Sequence, residues 1–229
     1  MREEIATPWF DSALTRLEPR RGERALAFEP RRADLHALCV AFGDAGALTV
    51  VYRDRLAAEQ SARNPPPHLR VLAHETTGSE RFGTFDAVFA APKSGPLLPP
   101  EPFARLIRDN LRPGGRFVVD LPSTDMQPDI ESGWADLGWD EERLAPIRGP
   151  ADGELVEALR GAGLRSVESS LGSHLLTASS AAEFVAGFAD DLELDEDEVI
   201  ELAHAIVRNR QETGTVELLV HRSQASGRR

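Results

Sequence analysis

The chain has 229 residues, 41% of them hydrophobic, with a formal charge of −12 and a pI near 5.0. That length can bury a sizeable core, and the acidity excludes the basic footprint of a nucleic-acid binder or of a protein that docks on anionic membranes. A single cysteine, Cys39, excludes an intramolecular disulfide framework and any multi-cysteine zinc or iron–sulfur site.

No run reaches the ~18 apolar residues of a membrane span, and Met1-Arg-Glu-Glu does not open a signal peptide. The expected location is cytoplasmic.

Thr7-Pro8 reads as an N-cap followed by proline at the first helical position, opening a short helix through Leu17 that Gly22 ends. Arg24 to Phe28 is a strand candidate, and Ala33 to Phe42 a helix with Leu35, Leu38 and Phe42 on one stripe. After the turn at Gly43–Gly46, Ala47 to Tyr52 is a nearly continuous apolar strand of the kind buried on both faces. Arg55 to Arg63 is helical up to Asn64-Pro65-Pro66-Pro67. Leu69 to Ala73 and Phe85 to Ala90 are further strands.

A helix over Glu101–Leu111 leads through Arg112-Pro113-Gly114-Gly115 into a strand at Arg116–Asp120. The stretch from Pro122 to Pro150 reads as loop-rich, with Trp134 and Trp139 as packing anchors. Glu154 to Ala162 is helical, Leu164 to Ala178 holds one or two extended pieces, and helices follow at Ala181–Asp190 and Glu196–Arg210. Val216 to Val220 closes the series, and Ser223–Arg229 reads as a frayed polar tail. Strands alternating with helices imply an α/β fold with a mostly parallel sheet covered on both faces. The expected organisation is one domain over residues 1–222 and a flexible tail over 223–229.

The block Phe85-Asp86-Ala87-Val88-Phe89, a helix, then Leu111-Arg112-Pro113-Gly114-Gly115-Arg116-Phe117-Val118-Val119 resembles the class I S-adenosylmethionine-dependent methyltransferases. Leu155 to Val167 resembles that family's helix before its sixth strand. Ser179-Ser-Ala-Ala-Glu-Phe-Val resembles a segment of the small-molecule branch. The resemblance covers about residues 8 to 222. It implies a three-layer Rossmann-like methyltransferase fold, with an antiparallel last strand and a helical insertion before it. The Pro-Gly-Gly turn itself is architecture: it shapes the sheet and binds no cofactor.

The same resemblance places cofactor contacts where this chain departs from them. An acidic residue and a run of glycines are expected after the first strand, since glycines let the backbone approach a ligand closely. Here Ala27 stands at the acid, and Glu29, Arg31 and Ala33 stand at the glycines; no glycine occurs between Gly22 and Gly43. The ribose-binding acid at the end of the second strand is Tyr52, and a phenol cannot accept as a carboxylate does. Asp54 would substitute if that strand ran longer. Glu75 stands near the expected adenine contact, with a solvated loop carboxylate as its plain alternative.

Guanidinium groups at a helix start oppose the macrodipole by roughly 0.3–1 kcal/mol each unless an anion neutralises them. Arg31 or Arg32 is therefore expected to fill the site, paired with Glu29, Asp54 or Glu75; the plain alternative is that both point into solvent.

Other constellations carry less. Ala90-Ala91-Pro92-Lys93 lacks the carboxamide and aromatic of amide N-methyltransferases, and Lys93 reads as a solvated loop residue before it reads as a base. The six histidines have no zinc-ligand spacing, and Cys39 sits among core positions. Asp191, Glu193, Asp195 and Asp197 alternate like a calcium loop without its glycine, so Asp195 is assigned to capping the helix that follows.

These residues lead to a methyltransferase-like protein that has lost S-adenosylmethionine binding and serves as a non-catalytic scaffold or subunit partner. It would have no cofactor and no metal, and a protein partner or a second copy of itself rather than nucleic acid or membrane. The alternative is an active S-adenosylmethionine-dependent methyltransferase on a small molecule with an atypical cofactor site. A nicotinamide dehydrogenase fares worst, because no G-x-G-x-x-G is present.

Overall fold

A computed structural model describes residues 8–92, 95–125, 127–151, 153–210 and 215–229. Thr7 and Lys93 lie outside the described residues, so the cap and the base considered for them have no structural account.

Among the described residues, seven strands form one sheet in the order β3-β2-β1-β4-β5-β7-β6. They are β1 (Arg24–Phe28), β2 (Ala47–Tyr52), β3 (Leu69–Ala73), β4 (Phe85–Ala90), β5 (Leu111–Pro122), β6 (Arg165–Ala178) and β7 (Val216–Arg228). The first five run parallel, with Ala27 registered on Val50 and on Phe89, and Phe89 on Val118. β7 enters antiparallel between β5 and β6, with Asp120 opposite Gln224 and Leu176 opposite Leu218.

Alternation along the central strands sends side chains to two faces, and helices cover both. On one face Leu26, Phe28, Val88, Phe117 and Val119 pack against α4 (Pro100–Asn110) and α6 (Glu154–Gly161). On the other, Ala25, Ala27, Val50, Phe89 and Val118 pack with Phe10 and Leu17 of α1 (Pro8–Leu17), Leu38 and Phe42 of α2 (Arg32–Phe42), and Ala58 of α3 (Arg55–Ser61). A third cluster joins Leu218 and Val220 to Trp134 of α5 (Pro128–Leu137), Phe184 of α7 (Ala181–Ala186), Leu192 of α8 (Ala189–Leu192) and Ile206 of α9 (Glu196–Arg210). α7 to α9 are the helical insertion before the last strand.

Two expectations need correction. The 122–150 stretch is not simply loop: Pro128 opens α5 at its first turn, Gly138 ends it in the left-handed region, and a 3-10 helix follows over Glu141–Ile147. Gly133 hides this helix from its sequence, yet it fits a tight contact with α9, where a Cβ would meet Leu202 at 3.0 Å and Ile206 at 3.2 Å. The 223–229 segment is not a frayed tail either. β7 continues through Arg228, paired with β5 from Pro122 back to Arg116, and the Arg229 N–H bonds the Gly115 carbonyl at 3.0 Å.

Asp195 does cap α9. Its carboxylate accepts the Glu198 N–H at 2.8 Å, while Glu198 returns the bond to the Asp195 N–H at 3.1 Å. Trp134 is fully buried and meets Trp139 edge to face at 4.8 Å.

Candidate functional site

The strand order reverses between β1 and β4, whose carboxyl ends lie side by side with Phe28 registered on Ala90. Open α/β sheets take ligands in that crevice. The residue that follows β1 is Glu29, whose contacts run to the β2 side.

Glu29 has φ 49°, in the left-handed region that glycine adopts freely and that costs a residue with a Cβ about 1–2 kcal/mol. Glu29 thus takes a glycine-type backbone without being a glycine. Three bonds hold it. The Glu29 N–H donates to the Val51 carbonyl at 3.0 Å, its carboxylate accepts the Arg53 N–H at 2.6 Å, and the Arg53 guanidinium stands 3.4 Å away. Burial pushes the Glu29 carboxyl above the usual range, against the pull of Arg53. A carboxylate therefore does stand at the end of β2, but it reaches there from β1 and is bonded to the chain.

Arg31 occupies the N-cap position of α2 with extended backbone. Its guanidinium grips Asp34 through two bonds, Nε to Oδ2 at 2.8 Å and a terminal nitrogen to Oδ1 at 2.7 Å. This corrects the expected pairing across the crevice with Glu29, Asp54 or Glu75. The carboxylate that neutralises the cation is three residues along the same helix, and both side chains are only 12% exposed. The side chain of Arg32 lies outside the described residues.

Tyr52 and Asp54 have separate work. The buried Tyr52 phenol accepts the Ser61 hydroxyl at 3.1 Å, tying the end of β2 to α3. Asp54 caps α3, accepting the N–H groups of Leu56 at 2.9 Å and Ala57 at 3.0 Å, so its carboxylate belongs to the helix. Glu75 is exposed beyond the end of β3. The structure brings Glu29 to the end of β2, where Tyr52 and Asp54 stand, and the neighbour of Glu75, His74, donates its N–H to the Tyr52 carbonyl at 2.8 Å.

A second group of polar residues lies at the carboxyl ends of β4 and β5, and the sequence did not single it out. Arg222 of β7 is fully buried and bonds the fully buried Asp120 of β5 through Nε at 2.6 Å. A terminal nitrogen of the same guanidinium donates to the carbonyls of Pro92 at 2.8 Å and Asp120 at 2.7 Å. Gln224 also donates to the Asp120 carboxylate, and the guanidinium lies over the Trp9 ring at 4.8 Å. Burial lowers the Arg222 pKa while Asp120 opposes that shift. One network thus ties α1, the β4 loop, β5 and β7 together beside the crevice. Only the identity of Asp120 at a strand end could have pointed to it.

No family model matches the sequence, and no curated protein matches it. Solved structures do. An S-adenosylmethionine-dependent methyltransferase from Thiobacillus denitrificans, in complex with S-adenosylhomocysteine, is 15% identical and superposes with a TM-score of 0.56 over 100% of this chain and 94% of that one. The corresponding complex from Geobacter sulfurreducens is 13% identical, with a TM-score of 0.55 over 100% of this chain and 94% of that one. The 4+2 cyclase SpnF is 18% identical, with a TM-score of 0.53 over 96% of this chain and 80% of its own.

The chain therefore has the Rossmann-like fold of the class I S-adenosylmethionine-dependent methyltransferases. At these identities the likeness defines the fold, and the residues in the crevice have to supply the function.

Proposed function

We propose that this is a methyltransferase-like protein that does not use S-adenosylmethionine and acts as a non-catalytic scaffold or subunit partner. One observation carries the reading. Where the cofactor's backbone cradle and ribose acceptor are expected, the chain places Glu29 in a glycine conformation with its carboxylate already bonded to Arg53. The residues around it do not offer a replacement: Asp54 is a helix cap, Tyr52 offers a phenol, and Arg31 is held by Asp34.

A fold shared by methyltransferases and by a 4+2 cyclase does not impose methyl transfer.

The alternative, an active methyltransferase on a small molecule, is favoured by the S-adenosylhomocysteine bound in two of the structural neighbours. A cycle of variants separates the readings. Replacing residues 27 to 33 with an acid-and-glycine turn should open the crevice without creating binding, because Tyr52 still lacks the acceptor. Tyr52→Asp alone should also fail. The two together should bind S-adenosylhomocysteine measurably better than either alone. Tight binding by the unaltered chain, equal to that of the combined variant, would overturn the proposal.

A further inference from the structure

β6 is the outermost strand of the sheet, and its far edge has no partner strand among the described residues. Which backbone groups lie along that edge follows from β7. The His221 carbonyl accepts the Ser123 N–H at 3.1 Å and the Leu219 N–H donates to Asp129 at 3.3 Å, so the odd-numbered residues of β7 bond on the β5 side. The even-numbered ones turn to β6, where Arg222, Val220 and Leu218 stand opposite Gly172, His174 and Leu176. On β6 the alternate set, Ser169, Leu171, Ser173, Leu175 and Thr177, therefore points its N–H and C=O groups outward.

Natural sheets guard such an edge with charge, proline, a bulge or a short strand, because it is a template for another chain. The opposite edge, β3, is guarded: it has 5 residues, bears the exposed Arg70 and follows Pro65-Pro66-Pro67. β6 has 14 residues, and its guards, the exposed Glu168 and the bulge where Ser166 takes φ 51°, stand at one end. From Ser169 to Ala178 the sequence holds no proline, and its one titratable residue is His174, which lies against the Trp9 ring at 5.8 Å. Leu171 and Leu175 are instead each 60% exposed, on the opposite face from Leu176 and Leu218, which α5, α7 and α9 cover.

This pattern is complementary to itself. Antiparallel pairing about a two-fold axis through Ser173 sets Leu171 of each copy against Leu175 of the other, Ser169 against Thr177 and Glu168 against Ala178. That register pairs the whole of Glu168–Ala178, roughly 35 Å of edge, and it also joins the two exposed leucines. The ends match in charge as well. Arg165 pairs with the exposed Arg228 at one end of the β6–β7 ribbon, beside Glu168, and Thr177 pairs with the exposed Glu217 at the other, with Glu183 just beyond. Antiparallel pairing brings the arginine end of each copy to the acidic end of the other, which acts against the general repulsion of two chains of charge −12.

We infer that two copies of this chain join β6 to β6 and continue the sheet across a two-fold axis at Ser173. The interface is isologous and uses the unguarded edge, so it closes as a dimer and does not grow into a fibre. A strip this narrow lies at the low end of specific interfaces, and its dissociation constant is expected on the order of 10–100 µM. The dimer names a surface for the partner proposed above, but it does not rest on that reading: binding or rejection of S-adenosylmethionine leaves it untouched.

Sedimentation of the full chain between about 5 and 500 µM should show a concentration-dependent balance of monomer and dimer. Leu175→Lys should weaken the dimer at least about tenfold, because a charge on the edge opposes pairing. Leu56→Lys, at a leucine 57% exposed on α3, should leave it unchanged. Both positions are exposed, so the dilute variants should melt within about 2 °C of the unaltered chain. A short bismaleimide should join Ser173→Cys into a dimer, because the two copies of that residue stand about 5.5 Å apart, Cα to Cα. It should not join Thr177→Cys, whose copies are roughly 27 Å apart along the strand. The unaltered chain, with its buried Cys39, gives the background. A chain that stays monomeric at about 500 µM would overturn the proposal and leave the edge to a different protein. So would a dimer that Leu175→Lys does not weaken, or one in which Thr177→Cys crosslinks as readily as Ser173→Cys.

Discussion

The carboxylate of Glu29 crosses from the end of β1 to the end of β2 and accepts the Arg53 backbone N–H at 2.6 Å. One side chain thus closes the position where two separate ligand contacts are expected. It does so from a backbone conformation, φ 49°, that disfavours every residue with a Cβ.

Strain and bond can be separated by substitution. Glu29→Ala keeps the strain and loses the charged acceptor, and should destabilise the protein by about 1–3 kcal/mol. Glu29→Gly loses the same acceptor but removes the strain, and should recover about 1 kcal/mol of that loss. Urea unfolding of the two variants measures the difference; an alanine variant at least as stable as the glycine variant would remove the argument for strain.

The Asp120–Arg222 pair should behave as a buried ion pair that the fold needs complete. Asp120→Asn leaves a fully buried guanidinium without its counter-charge and should cost about 3–5 kcal/mol. Converting both residues to apolar side chains should cost less than Asp120→Asn alone. A double-mutant cycle by chemical denaturation reads the coupling directly.

Two carboxylates should shape the pH dependence with opposite signs. Burial would raise Glu80, but the Thr77 hydroxyl and the N–H groups of Thr77 and Gly78 hold it down to about 2 from an ordinary 4.5. Its folded state binds the proton more weakly, so its contribution is present above pH 4.5 and is lost as the pH falls toward about 2. Glu29 is raised by burial, so the folded state holds its proton more tightly, and stability falls as the pH rises above 4.5. Urea midpoints across pH should show a shallower acid slope for Glu80→Gln. For Glu29→Gln, the decline above 4.5 should be reduced.

β1, β2 and β4 were legible because they are largely buried and read as short apolar runs, and the edge strand β3 likewise stands at the expected residues. α5 was not legible, because Gly133 breaks the helical pattern for a packing reason that lies in α9. The end of β7 was hidden because Arg222 and Gln224 are polar, yet they point inward to Asp120. A polar run says tail unless its buried partner is known.

At the site, the missing glycines were visible in the sequence, whereas the left-handed backbone of Glu29 was not. The partner of Arg31 was misjudged in favour of a long-range contact. Asp34, three residues on, is nearer along the helix and wins on geometry.

The most direct measurement is calorimetric titration of the unaltered protein with S-adenosylmethionine and with S-adenosylhomocysteine. The missing glycines and the bonded Glu29 carboxylate predict no saturable heat for either ligand at dissociation constants tighter than about 1 mM, equivalent to ~4 kcal/mol. Micromolar binding of either would contradict the account and restore an active methyltransferase as the better reading.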